Sequence, residues 1–359
     1  MLKKQFFWFA LILCACTPSK QKKASAEKEV NAVPAGTLEV VAELNVCPGN
    51  IALSKDGRIF LTTHGMRQER IQLLELLDNN QYHPFPDSSY QTDPGHRSLD
   101  KFDTPLGTFV DHKDRLWTID AGFGLGLKGR LFAFDINTGE ELYRFDLPSE
   151  LTPPTSCVQD LVVDEKNEWV YLSDSGDPGI VVLEIATGEW RKFQDITMQP
   201  EQKMMVINGD SIRVNGGPFI IGMNPISISV DRETIYYGAM NANKWYGLEA
   251  ALFRNKVSDE DLSSAVKVIG DKPFCDGVST DSKGRHYLSN MQEHSIDVLD
   301  SEGNLSQLVQ DERIDWPDNV RVGPDGWLYI STNQLYKASP FTGGEDQAVK
   351  PYHILRVKM

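Results

Sequence analysis

Four residues stand out for chemistry in this 359-residue chain: Gln159, Asn224, Asp276 and Asp318. Two are amides and two are carboxylates, and each sits directly ahead of a short alternating run that reads as a β-strand. An oxygen-rich set of this kind suits a hard cation such as calcium better than zinc. Carboxylates at a mouth would equally pair a cationic amine, and one of them could act as a general base. Against this stands the plain alternative that channel-facing polar groups bind water and cap strand ends.

The elements that position these residues repeat. Six segments share a strand, a tight polar turn and a second strand with an aromatic at its centre: Phe60, Trp117, Tyr171, Tyr236, Tyr287 and Tyr329. The turns include Lys55-Asp56-Gly57 and Pro324-Asp325-Gly326, the Gly-rich kind that closes hairpins. Outer hairpins follow, as at Arg130 to Asp146. Such units stack radially, so the expected fold is all-β, a six-bladed β-propeller over residues 37–359. Thr37 to Leu44 and Tyr352 to Val357 are placed to close the ring within one blade. The aromatics read as wedges between blades. Two stretches break the rhythm: Asp195 to Gly222, a long connection between blades three and four, and Leu248 to Ile269, read as a short helical insertion after blade four with Ser258 as its cap.

Aligning the six inner strands puts Gly49, Leu106, Gln159, Asn224, Asp276 and Asp318 at one level, a ring near one mouth of the central channel. The second strands return to that face, so His64, Asp120, Asp174, Asn290 and Asn333 should border it. The ligand-binding set expected from this alignment is Gln159, Asn224, Asp276, Asp318, Asp120, Asp174 and Asn290. His64 and His294 are weaker candidates, and His112 and His286 read as structural.

At the N-terminus, Lys3 and Lys4 precede an apolar run from Phe6 to Leu13, and then Leu13-Cys14-Ala15-Cys16. This resembles a bacterial lipoprotein signal: residues 1–15 removed, Cys16 acylated, and residues 16–36 a polar tether. The expectation is an exported protein of the cell envelope, held to a membrane by its lipid alone. Losing Lys3 and Lys4 takes the formal charge from −15 to −17. That acidity excludes a nucleic-acid partner, which would need a positive footprint; a monomer is expected. Cys47, Cys157 and Cys275 remain in the folded part, enough for one disulfide at most. Nucleophile-elbow, zincin and phosphate-loop motifs are absent. Gly124 to Gly129 spells a dinucleotide fingerprint but runs into the strand Arg130 to Asp135 and lacks the helix that would hold a pyrophosphate.

Pro48 to Gly57, Phe109 to Trp117, Asp160 to Asp164, Tyr171 to Gly176, Gly270 to Gly277, Trp316 to Asn319 and Gly323 to Tyr329 together resemble the major royal jelly protein/Yellow family, in order and over nearly the whole mature chain. The resemblance implies a six-bladed propeller, and members include amine-binding salivary proteins and pigment-pathway proteins linked to dopachrome conversion. A wider resemblance is to the gluconolactonase/senescence-marker propellers, which hydrolyse lactones with a divalent metal. Their strand starts are similar to Asn224-Pro225-Ile226 and Cys275-Asp276-Gly277. That resemblance implies Asn224 and Asp276 as metal ligands and Gln159 in place of a substrate-side Asn, while Gly49 stands where that family has a Glu. Asp318 is then the substitute from the sixth blade.

Three readings follow. The first is a lipid-anchored propeller binding a small polar or cationic ligand at the channel mouth, with Asp276 and Asp318 pairing the cation. The second is a lactone or ester hydrolase using calcium or another divalent ion on Asn224 and Asp276, with Asp276 or Asp318 as catalytic base; a dopachrome-type isomerase is the other enzymatic form. The third is a protein-interaction scaffold with an inert channel.

Overall fold

The computed structural model describes residues 1–2, 33–94, 96–127 and 129–359. The expected leader from Lys3, the expected acylation position Cys16 and most of the expected tether lie outside the described residues. Among the described residues, no helix is long and apolar enough to cross a membrane.

Six four-stranded antiparallel sheets form the unit Pro34–Met359. Their inner strands are Pro48–Leu53, Pro105–Val110, Val158–Asp164, Met223–Ile228, Val278–Thr280 and Pro317–Val322. Each inner strand packs beside the next, and the sixth returns to the first, making a six-bladed propeller. The sixth blade is composite: Leu38–Leu44 pairs antiparallel with Tyr352–Lys358, so both ends of the ring lie in one sheet, as the sequence suggested.

The core is divided by blade interfaces. Phe60 packs with Phe85, Phe102, Phe132 and Phe134 between blades one and two, and Trp117 sits among Leu161, Val163 and Val181 between two and three. Tyr171 meets Ile226, Ile235 and Phe253 of blade four, Tyr287 meets Val320 and Leu328 of blade six, and Tyr329 meets Ile51 and Leu61 of blade one. Tyr236 lies against the cluster of Cys275, Val278 and Leu288. The aromatic column is therefore the wedge series between neighbours. Several wedges also reach the turn below: Asp111 accepts from the Trp117 indole at 2.9 Å, and Asp325 from the Tyr329 hydroxyl at 3.0 Å.

The helical segment differs from the expectation. Two short helices, α1 (Ala250–Arg254) and α2 (Asp259–Ala265), lie inside blade four, between its third strand Lys244–Glu249 and its fourth, Lys267–Asp271. Leu248 and Ile269, read as helical, belong to those strands. Ser258 does cap α2, its hydroxyl accepting from the Asp261 amide at 3.2 Å. The long connection between blades three and four is built as two small hairpins, Val206–Ser211 and Arg213–Pro218. Met205, Ile207, Ile212 and Phe219 from this segment pack with Phe274, Met291, Trp316 and Leu335 of the last two blades. It forms a cap over one side of one mouth.

Candidate functional site

The six aligned positions share a local cause for facing inward. In five blades the residue is the second of its inner strand, where the pairing register slips: between Pro48 and Ile51, Pro105 and Thr108, Val158 and Asp160, Met223 and Ile226, and Pro317 and Asn319. A bulge re-aims side chains at a strand start. Gly49, Leu106, Gln159, Asn224, Asp276 and Asp318 all line one cavity of about 480 Å3 at the upper mouth.

The polar members form a chain. The Gln159 amide donates to Asn224 Oδ1, and Asn224 Nδ2 donates to Asp276 Oδ1 at 2.6 Å. The other oxygen of Asp276 accepts from the Trp316 indole at 2.9 Å, and Asp318 Oδ2 accepts from Asn333 at 2.6 Å. Among the described residues, neither carboxylate has an ion-pair partner within 4 Å. Burial lifts Asp276 to about 7. Burial, followed by repulsion from Asp276, holds Asp318 well above the usual carboxylate range. Two like charges brought side by side in a desolvated place cannot both ionise cheaply. The same cavity is lined by Leu106, Phe123, Phe219, Ile221, Met240 and Leu335.

One residue further along each strand lies a second level: Asn50, Gly107, Asp160, Pro225, Gly277 and Asn319. A Cβ on Gly107 would stand 2.6 Å from the Asp160 Cα, and one on Gly277 2.4 Å from the Asn319 Cα, so small residues are required beside the large ones. Arg321, from two residues deeper, reaches up to this level. It donates to Asn319 Oδ1, to Asn50 Oδ1 at 3.2 Å and to the carbonyls of Thr108 and Val278, and lies 3.9 Å from Asp160. Burial lifts Asp160 to about 6 against the pull of that guanidinium. The group plugs the channel. Below it, Ala52, Phe109, Val162, Ser227, Ser279 and Arg321 line a second cavity of about 690 Å3 at the lower mouth.

Of the strand-return residues, His64 lines the upper cavity, and Asn333 touches it through Asp318. Asp120, Asp174 and Asn290 do not reach it. Asp120 is fully buried, accepting the amides of Asp103, Thr104 and Gly122 and pairing with Arg130. Asp174 likewise accepts from Cys157, Gly176 and Asp177 and pairs with Lys192. Asn290 is spent on Asp297 and the Glu293 amide. Asp120 and Asp174 tie down the segments that lead into the inner strands, and Asn290 ties the turn between the second and third strands of its blade, because strand ends leave backbone donors to satisfy. His294 is held near Ile314 and Asn208 and does not line the cavity. His286 is buried against Tyr236 and Trp245, while His112 is exposed beside Glu165 at the lower face. Cys47 and Cys275 are buried thiols lifted by desolvation to about 12 and about 11, and Cys157 lines the upper cavity.

The alignment missed Asp160, Asn50, Asn319, Arg321 and Trp316. The first three were one register position away from residues that were found. Trp316 and Arg321 act across blades, which strand periodicity does not report.

The donor set does not fit a resident divalent cation. Both oxygens of Asp276 already accept neutral N–H groups, Asn224 oxygen accepts from Gln159, and Gly49 offers nothing from the first blade. Among the described residues, no group of three or more His, Cys, Asp or Glu is placed to hold a metal ion.

The fold recurs in solved structures of low sequence identity. A gluconolactonase from Xanthomonas campestris is 12% identical, with 89% of this chain and 88% of that one covered at a TM-score of 0.58. A luciferin-regenerating enzyme is 11% identical, covering 90% and 95% at 0.55. A virginiamycin B lyase from Staphylococcus aureus, solved with quinupristin, is 10% identical, covering 90% and 99% at 0.54. At such identities the likeness shows the propeller and nothing finer. No curated protein matches the chain by sequence. The major royal jelly protein family profile, however, matches residues 104–339. That span runs from the second blade into the sixth and takes in Gln159, Asn224, Asp276 and Asp318, so the chain belongs to the major royal jelly protein family.

Proposed function

We propose that this propeller binds a small ligand at its upper mouth, with a protonated amine on Asp276 and Asp318 and an apolar body against the cavity's apolar lining. One observation carries the reading: two half-buried carboxylates, without an ion-pair partner within 4 Å among the described residues, line a cavity whose walls are largely apolar. Burying charge without a partner is costly, so such a pair is poised to gain when a cation arrives. Phe123, 52% exposed on the rim, and Phe219 under the cap supply aromatic faces on which a cationic or aromatic ligand gains further. The protein would be held at the envelope by a lipid on Cys16, with the propeller free to sample the solution around it.

Calorimetry with phenethylamine and its neutral counterpart 2-phenylethanol tests this. The amine should bind and the alcohol bind at least about tenfold more weakly, a difference of about 1.4 kcal/mol. Equal binding of the two, or none of the amine, would count against the reading. The hydrolase alternative rests on Asn224 and Asp276 and has its own arm. Stoichiometric calcium that is lost in Asp276→Ala, together with lactone turnover, would favour it. Asp276, near neutrality, is also suited to exchange a proton with a bound ligand, and dopachrome turnover is the assay for that isomerase form.

A further inference from the structure

The rim above blades one and two differs from the floor in sign. His64, Gln68 and Arg97 line the cavity there, contributed by the return of the first blade and by the connection into the second. In a six-membered ring the second blade stands across from the fifth, which carries Asp276, and the first is beside the sixth, which carries Asp318. Arg97 is anchored through one nitrogen only: Nη1 meets the buried carboxylate of Asp103, and among the described residues Nε and Nη2 have no partner. That leaves one edge of the guanidinium, the edge that grips a carboxylate with two parallel bonds. His64 adds a neutral donor. Its Nδ1 accepts the Met66 amide at 3.3 Å, which puts the ring proton on Nε2, and desolvation with the nearby Arg67 holds the ring down at about 4, uncharged through the neutral range. Leu106, Phe123, Phe219 and Ile221 line the same cavity.

We infer that the ligand is a zwitterion of amino-acid type with an apolar side chain, its ammonium on Asp276 and Asp318 and its carboxylate on Arg97 and His64 at the rim above blades one and two. This deepens the amine reading and rests on it. A site that offers both signs within one largely apolar cavity discriminates against a ligand lacking either charge, because the unmatched group stays desolvated and unpaired.

Calorimetry with phenylalanine and phenethylamine, which share one side chain, separates the two claims. The wild-type protein should prefer phenylalanine by about tenfold or more. Arg97→Gln should shrink that preference to about twofold, and Arg97→Lys should recover part of it, since charge persists without the planar fork. A loss of fold in Arg97→Gln would show in its melting curve, and His64→Phe then provides the second reading, again lowering the phenylalanine preference. Phenethylamine binding as tightly as phenylalanine, or a preference untouched in both variants, overturns the zwitterion and leaves the amine site standing. Binding of neither probe overturns both.

Discussion

The two mouths of the channel use the same six strands and teach opposite lessons. The lower cavity is the larger, about 690 Å3 against 480 Å3, and it carries more charge. Yet both acids that line it are neutralised within their own hairpins: Asp111 by Arg115 at 2.7 Å, and Asp281 by Arg285 at 2.7 Å. Arg232 is matched to Glu165 at 2.7 Å. At the upper mouth, Asp276 and Asp318 have amides and an indole for company and, among the described residues, no ion-pair partner within 4 Å. Charge that is already satisfied holds the scaffold together; charge left over marks the place where something else is expected.

The barrier between the mouths is the sharpest point of attack. Arg321→Ala leaves Asp160 buried without its cation and should cost about 3–5 kcal/mol in urea unfolding. Arg321→Met combined with Asp160→Leu should recover most of that, because it removes both charges; no recovery would mean that the plug acts through packing. Asp318→Asn should weaken phenethylamine by roughly thirtyfold in calorimetry, about 2 kcal/mol, with the fold intact. An unchanged affinity would erase the distinction between the mouths.

Proton linkage sharpens the same contrast. Asp276 is lifted from 3.8 to about 7 by burial, so between those values the folded protein keeps a proton that the unfolded chain has released. Its contribution to stability is present in acid and is lost as pH rises from about 4 through about 7. Asp276→Asn should therefore flatten this fall and raise Tm at pH 8 by roughly 3 °C while impairing binding, a site residue that costs stability. In the wild type, amine affinity should climb as pH passes about 7, when the carboxylate is ionised before the ligand arrives. A pH-independent affinity between 5 and 8 would argue against the floor as the cation's partner. Phe123→Ala should cost about 1 kcal/mol in binding and nothing measurable in Tm, given its exposure. Smallest of all, Lys283→Ala at the lower mouth should change stability by less than about 0.5 kcal/mol and leave binding alone.

Much of this was legible in the sequence because blades repeat. The hairpin turns, the aromatic wedges and the closure by residues 38–44 and 352–358 each recur or pair in a way that periodicity exposes. The ring level was legible for the same reason: Gln159, Asn224, Asp276 and Asp318 occupy one register position. Asp120 and Asp174 show the limit. Their place at strand ends could be read, but whether a carboxylate turns toward a channel or toward three backbone amides depends on the loop beside it. The cap was illegible because Phe219 and Trp316 meet through tertiary packing, ring centroids 5.9 Å apart, with no local pattern to announce it. Helical spacing in blade four misled at Leu248 and Ile269, since apolar residues at strand edges imitate a helix face over so short a stretch.

The composite sixth blade also sets an order of assembly. Leu38–Leu44 is among the first parts of the propeller to be synthesised, but its hydrogen-bonding neighbour, Tyr352–Lys358, is among the last. Until that neighbour emerges the edge has nothing to pair with, and the sheet that carries Asp318 is unfinished. The upper mouth therefore comes into being as the final step of chain completion. A chain cut short before Tyr352 would lack the strand that completes the sheet of Asp318, so the proposed binding would report that the ring has shut.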